Sequence, residues 1–161
     1  MLCCKVMHVP ELEKPGDIMC SHAQVGKGCT IHENRPLSCR QFFCGWRLDP
    51  SIDALWKPDI CRFVLRFSSR YSALVLMVDP ARPLAWRRQP YHRRLREWAA
   101  RAFDENKRIV VMVGSEATVV LPDRDVPLGV LAADDEIVLS RVGDSYHAER
   151  RPKPPGTLAG G

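Results

Sequence analysis

Long apolar runs are missing from this chain, and so is any recognisable targeting segment. Purely apolar stretches, such as residues 73–78, are far shorter than the roughly 20 residues that a membrane-spanning helix needs. The first residues lack the basic start followed by an apolar stretch that a secretory signal would show. We therefore expect a protein of the cytoplasm without a membrane segment.

The chain also lacks the short motifs that mark the commonest catalytic sites. It contains no glycine-rich phosphate loop, no serine nucleophile elbow and no HExxH zinc motif. No pair of side chains stands out as a general acid and base, so the sequence leaves open whether the protein is an enzyme. Its net charge of +5 is too small to identify a partner.

The chain has seven cysteines, but none of them lies in its last 100 residues. All seven lie in residues 1–61, a segment rich in proline and glycine and poor in aliphatic side chains. We predict three parts: a loop-rich, cysteine-bearing lobe at 1–61, a folded core at 62–150 and a disordered tail at 151–161. With 161 residues, 45% of them hydrophobic, the chain is long enough to bury a core.

The sequence of the core predicts an α+β fold. Runs rich in Val, Leu and Phe predict strands at 62–67 and 73–78, and further strands are expected at 108–113, 118–121, 136–140 and 146–149. An amphipathic helix is expected from Pro90 to about Asn106. Its apolar positions, which recur at helical spacing, are Tyr91, Leu95, Trp98, Ala99, Ala102 and Phe103. We expect a mostly antiparallel sheet with this one long helix against a face.

The lobe has too few aliphatic residues for a core of its own, so a metal is its expected support in a reducing compartment. Thiolates bind zinc, iron and iron–sulfur clusters well because their sulfur is soft and anionic. Because no C-x2-C pair occurs, a set of buried structural thiols is the alternative interpretation. The six predicted metal ligands are Cys3, Cys4, Cys20, Cys29, Cys39 and Cys44.

A known family shares this cysteine pattern. Residues 29–46 read CTIHENRPLSCRQFFCGW, which resembles the YkgJ-type cysteine-cluster family, described as zinc- or iron-chelating proteins. That family has a C-x2-C-x2-C-C opening, a separated Cys and a C-x-I-[YFH]-x-x-R-P-x-x-C-R-x-F block. The resemblance covers roughly residues 3–50 and implies a metal-binding lobe. The matching residues are Cys3, Cys4, Cys20, Cys29, Arg35, Pro36, Cys39, Arg40 and Phe42.

The chain departs from the family at its first residues. The family's first two cysteines have no counterpart, since Met1 and Leu2 directly precede the Cys3-Cys4 pair. Either the natural start lies upstream, or two ligands have been lost. The second case would weaken the metal site or change the metal it prefers.

Local geometry sharpens the expectations for single residues. We predict a short helix from Pro36 to about Phe43, with Gly45 just past its end. Helical geometry would place Cys39 and Cys44 about 140° apart, at roughly 100° per residue, so the helix must end between them if both bind one ion. Arg35 and Arg40 are either solvated or lower the pKa of nearby thiols. We expect Cys61 to be a buried hydrophobe rather than a ligand.

The remaining candidates concern His22 and the arginines of residues 87–101. His22, two residues after Cys20, is a possible member of a mixed Cys/His zinc site. A solvated helix face is the ordinary explanation of the arginines, and binding of an acidic protein or a nucleic acid is the alternative. They are Arg87, Arg88, Arg93, Arg94, Arg96 and Arg101.

Three functions follow from these observations, in order of preference. The first is a metal-binding protein of the cytoplasm whose cysteine cluster holds zinc, iron or an iron–sulfur cluster. The second is an iron–sulfur-dependent oxidoreductase, since an incomplete ligand set leaves a coordination position open. The third is an adaptor, braced by zinc, that binds nucleic acid or protein through the Arg87–Arg101 face.

Overall fold

A mixed five-stranded sheet organises the chain in the computed structural model, which describes residues 1–132 and 134–152. The helices are α1 (Cys3–Val6), α2 (Leu37–Gln41), α3 (Gly45–Leu48), α4 (Pro58–Cys61) and α5 (Tyr91–Asp104). The strands are β1 (Ala23–Gln24), β2 (Gly28–Cys29), β3 (Phe63–Ser68), β4 (Ala73–Val78), β5 (Arg108–Val113), β6 (Glu116–Val120), β7 (Asp125–Val130), β8 (Asp135–Val142) and β9 (Ser145–Pro152). Short 3-10 turns span Pro10–Leu12, Ala54–Trp56 and Ala85–Arg87.

The sheet has the order β3-β4-β5-β6-β7. Its neighbouring strands are antiparallel except β4 and β5, which run parallel. Parallel neighbours need a crossover connection, and α5 supplies it. This confirms the predicted α+β class with one long helix and a mostly antiparallel sheet.

The helix α5 covers one face of the sheet. Tyr91, Leu95 and Ala99 on its apolar stripe are buried against Phe63 and Leu76 of the strands. Burying one such large side chain contributes about 1.5–3 kcal/mol to stability. The stripe inferred from helical spacing is therefore the face that packs.

The opposite face is covered by two separate elements. The β8–β9 hairpin packs over the middle strands, where Ile137 meets Val110 and Val119. At the β3–β4 end, α1 takes its place, with Val6 packed against Val64. Because both faces are covered, the strands carry continuous apolar runs instead of an alternating pattern.

One strand of the sheet was not predicted. The strand β7 contains Pro127 and Gly129, both of which are depleted in strands and gave this segment the character of a loop. Proline is tolerated here because β7 is an edge strand, and a register shift opposite Ala117 and Thr118 interrupts the ladder. The edge position, which depends on long-range pairing, makes the strand possible.

The short helices of the lobe differ in detail from the prediction. A helix from Pro36 to about Phe43 was expected, but α2 ends at Gln41 and Phe42 is extended. Gly45, expected to lie just past that helix, begins α3 instead. A Cβ added at Gly45 would lie 2.9 Å from the Cβ of Leu65, so glycine allows α3 to touch β3. Asp53 accepts a hydrogen bond from the Leu55 N–H and caps a 3-10 turn.

The predicted lobe and the predicted core pack against each other. Trp56 and Cys61, placed in the lobe by sequence, belong to the main core cluster beneath α5. The last strand continues through Pro152, two residues into the predicted tail, whose remaining residues 153–161 lie outside the described part of the chain. Within the described residues, no helix is both long enough and apolar enough to cross a membrane.

Candidate metal centre

Six cysteines from five separate segments line a single cavity of about 280 Å³. All six have free thiols and are partly exposed. A water molecule takes up about 30 Å³ in the liquid, so the cavity has room for a group of several atoms. The cysteines at the cavity are Cys3, Cys4, Cys20, Cys29, Cys39 and Cys44, the same six that the sequence analysis proposed as ligands.

The first wall of the cavity is built from α1 and the loop that follows it. Cys3 and Cys4 are the first residues of α1, which Val6 anchors to the sheet. The Cys20 N–H donates to the Cys4 carbonyl over 3.0 Å, so Cys20 is held next to this helix. Although neighbouring side chains point in different directions, Cys3 and Cys4 both border the same cavity.

The second wall comes from the β1–β2 hairpin and from α2 and α3. Cys29 is the last residue of β2, opposite Ala23. Cys39 lies inside α2, and Cys44 is the residue before α3. Because α2 ends at Gln41 and the chain then turns, Cys39 and Cys44 border the same space. The expectation that the helix must end between them is confirmed.

The neighbouring thiols interact with one another. A hydrogen bond between the Cys3 and Cys4 side chains lowers the pKa of Cys3 to about 6 and raises that of Cys4. The pair therefore gives up its first proton easily and its second with difficulty. Burial, reinforced by the charges of Cys20 and Cys29, raises the pKa of Cys39. This direction is opposite to the lowering that would follow if Arg35 and Arg40 acted on this thiol, which was one of the two interpretations left open for them.

A lysine that no sequence pattern marked lies at the cavity. The side chain of Lys14 is buried, and its ammonium group donates to the carbonyls of Lys5, Met7 and Pro15. Burial lowers the pKa of Lys14, while the negative charges of Cys20 and Cys4 oppose that shift. The ammonium group thus braces the loop after α1 and brings a positive charge close to the thiols.

Three arginines complete the charged lining of the cavity. Arg35 donates to the His32 carbonyl over 2.7 Å, and Arg40 donates to the Arg35 carbonyl over 2.8 Å, so both side chains are held by local backbone. Arg47 is the third, and no acidic side chain lines this cavity in the described part of the chain. Cations around a set of thiols favour the thiolate form that metals bind.

Two residues considered as possible ligands, His22 and Cys61, lie outside the cavity. His22 does not line the cavity, which is bordered instead by His8 and His32. Cys61 is fully buried in the main core, and the Trp56 and Phe63 carbonyls both lie within reach of its single S–H donor, at 3.3 and 3.1 Å from the sulfur. Burial raises its pKa to about 12. It is the small buried thiol that the sequence analysis expected.

The six thiols surround the cavity but are not drawn together. Among residues 1–132 and 134–152, no group of three or more His, Cys, Asp or Glu side chains is arranged to hold a metal ion. The donor chemistry fits zinc or iron, because thiolate sulfur is a preferred ligand of both. Tetrahedral coordination by four thiols at about 2.3 Å from a metal would require the thiols to lie closer together than they do here.

Comparison with known proteins identifies no relative of this chain. No protein-family model, curated protein or solved structure matches this chain. The resemblance of residues 3–50 to the YkgJ-type family therefore stays a prediction.

The arginine run at 87–101 is divided among several surroundings. Arg87 and Arg96 lie 3.3 and 3.4 Å from the buried carboxylate of Asp125, beneath the start of α5. Arg93 and Arg94 lie 3.9 and 3.1 Å from the Glu97 carboxylate. Much of the run's charge is thus compensated on the molecule itself. The remaining members are Arg88, which lines a separate groove, and Arg101, which is exposed.

Proposed function

We propose that this protein is a metal-binding protein whose six-cysteine cavity holds zinc, iron or an iron–sulfur cluster. The observation that carries the proposal is the convergence of six free cysteines from five segments on one cavity. The seventh cysteine is buried in a different part of the fold. Structural thiols would be expected to be buried singly, as Cys61 is, rather than to border a shared opening.

The electrostatic surroundings support the same proposal. A group ligated by four thiolates carries negative charge, and the cavity is lined by Lys14 and three arginines but by no described carboxylate. Opposite charges close to a thiolate favour its ionised form. The unequal protonation of Cys3 and Cys4 supplies one thiolate near neutral pH before any metal binds.

The experiment is metal analysis of the full chain, purified once in air and once without oxygen. We expect bound metal in at least one preparation, colourless for zinc and coloured with visible absorption for an iron–sulfur centre. Iron would keep a redox activity open, whereas zinc, which has no redox chemistry, would exclude the iron–sulfur oxidoreductase alternative. A fully folded protein free of metal in both preparations would contradict the proposal.

The seventh cysteine provides a matched control. We expect Cys39→Ser to lower the metal content per chain strongly, because it removes a thiol from the cavity. Cys61→Ala removes a thiol from the core and should leave the metal content unchanged. Equal loss of metal in both variants would mean that the metal depends on general stability and not on the cavity.

A further inference from the structure

Three arginines converge on a groove next to α4, away from the cysteine cavity. Arg62 follows α4 directly, Arg82 lies in the turn after β4, and Arg88 follows the 3-10 turn before α5. The groove has a volume of about 600 Å³, within the range of roughly 300–1,000 Å³ that is typical of ligand pockets. Its remaining lining consists of Ile60, Ala81, Pro83, Leu84 and Ala85.

In the described part of the chain, none of these three guanidinium groups forms a close ion pair, although the charge of Arg62 helps to lower the pKa of Asp59 and of Asp79. Within residues 1–132 and 134–152, no carboxylate lies within 4.0 Å of any of them. The acidic group buried nearby, Asp79, already binds the Lys5 ammonium at 2.6 Å and the Ala81 N–H at 3.0 Å. The other nearby carboxylate, Asp59, is exposed. The groove therefore keeps a surplus of positive charge.

The same groove exposes aliphatic side chains. Ile60 is 47% and Leu84 66% exposed, and both border the arginines. Single exposed aliphatic residues are ordinary on a protein surface. Here two of them share a concave site with three cations, which is the composition that binds an anionic and partly apolar ligand.

We propose that this groove binds an acidic segment of a partner protein in which carboxylates flank an aliphatic side chain. The carboxylates would pair with Arg62, Arg82 and Arg88, while the aliphatic side chain would cover Ile60 and Leu84. Arginine suits this role because its planar guanidinium group binds a carboxylate through two parallel hydrogen bonds. A nucleic acid fits less well, because none of the described residues that line the groove is an aromatic on which a base could stack.

The test measures binding of the peptide Glu-Asp-Leu-Asp-Glu, which carries a fluorophore at its N-terminus and an amide at its C-terminus, to the full chain by anisotropy. Its neutral counterpart, Gln-Asn-Leu-Asn-Gln with the same fluorophore and amide, serves as the reference ligand. We expect the acidic peptide to bind more tightly than the neutral one and to lose affinity as salt is added. Replacing all three groove arginines by glutamine should weaken binding by about tenfold, because three charge pairs are removed.

A matched variant separates the groove from the general charge of the protein. Glutamine at Arg66, Arg70 and Arg101 removes the same number of charges from exposed arginines outside the groove. Binding should stay within about twofold in this variant. Equal weakening in both triple variants, or equal binding of the neutral peptide, would overturn the proposal.

Two further readouts keep the proposal falsifiable. Polyuridylate should bind no more tightly than the acidic peptide, and tighter binding that depends on the same three arginines would show a nucleic-acid site instead. Circular dichroism of both variants checks that each is folded. If the groove variant unfolds, Arg88→Gln alone is used, and unchanged peptide affinity in that folded variant also overturns the proposal.

Discussion

The cysteine-bearing lobe and the α+β core reach order by different physical means. From residue 63 onward, buried apolar side chains fill both faces of a sheet. Within residues 1–55, the buried hydrophobic side chains are only Leu2, Val6 and Val9. The lobe depends instead on backbone turns, on the Lys14 ammonium group and, under our proposal, on a metal. Packing stabilises one region, and backbone turns and polar contacts stabilise the other.

Among the contacts that join these regions, two run through α1. Val6 of α1 packs on Val64 of β3, and the Lys5 ammonium group lies 2.6 Å from the Asp79 carboxylate at the end of β4. The first wall of the cavity is therefore fixed to the sheet through the helix that carries Cys3 and Cys4. The comparison predicts that damage to the lobe leaves the core folded and that damage to the core affects both.

Metal removal is expected to have the largest effect and to fall on the lobe alone. Structural metals contribute about 10–16 kcal/mol of apparent binding energy in small thiolate sites. A chelator should therefore make residues 8–36 susceptible to protease while α5 and the sheet remain protected. Limited proteolysis with mass spectrometry measures both regions in one sample. Simultaneous cleavage of the core would show that the two regions unfold together.

Metal removal acts on the lobe, whereas the substitution Leu95→Ala should act on the core. Leu95, on the inner face of α5, is fully buried. Truncating it to alanine leaves a cavity that costs about 2–5 kcal/mol of unfolding free energy. Denaturant unfolding followed by circular dichroism measures this loss, and the lobe, which is anchored to the sheet through α1, should release its metal at the same lowered denaturant concentration at which the core unfolds. Arg101→Ala on the exposed side of the same helix is the control, with an effect within about 0.5 kcal/mol.

The substitution Lys14→Met tests the polar support of the lobe. It removes a donor from three carbonyls, and leaving buried acceptors without partners costs about 1–3 kcal/mol. We expect faster proteolysis of residues 1–49 and weaker metal retention, with the thermal transition of the core little changed. Lys27→Met, in the exposed β1–β2 turn, is the matched control. Identical behaviour of the two variants would show that the ammonium group of Lys14 does not stabilise the lobe.

The smallest expected effect is a pH dependence at the junction. Burial raises the pKa of Asp79, but hydrogen bonds from Lys5 and the Ala81 N–H outweigh burial, so the pKa lies below its usual value. The stability from this pair is complete above the unfolded pKa, roughly 3.9, and is lost as the pH falls through the folded value.

Replacing Asp79 by Asn should remove about 1 kcal/mol of stability at neutral pH and flatten the loss of stability in acid. Unfolding measured at a series of pH values gives both quantities. Asp104→Asn, at the exposed end of α5, is the control. A steep acid limb that persists in the Asp79 variant would exclude this pair as its cause.

Much of the core could be predicted because its signals are local. The strands at 73–78 and 108–113 have the predicted bounds, and the helix differs by one or two residues at each end. Apolar runs and helical periodicity need no information about distant residues. The strand β7 was missed because Pro127 and Gly129 oppose strand structure locally and are tolerated only at an edge.

The cavity could be predicted in part. Composition and spacing identified the six cysteines that line it, yet nothing in the sequence marked Lys14 or Arg47. The position of Lys14 depends on three carbonyls that come together only when the loop after α1 has folded. The division of the arginine run likewise depends on Asp125, which lies far along the chain from α5.

The contact of Gly45 with Leu65 has a consequence for how this sequence can vary. Any side chain at position 45 would meet the Cβ of Leu65 at 2.9 Å, so α3 would have to move away from β3. Cys44 precedes this glycine and would move with it. A larger side chain at position 45 would thus be felt both at a strand of the core and at a wall of the cavity.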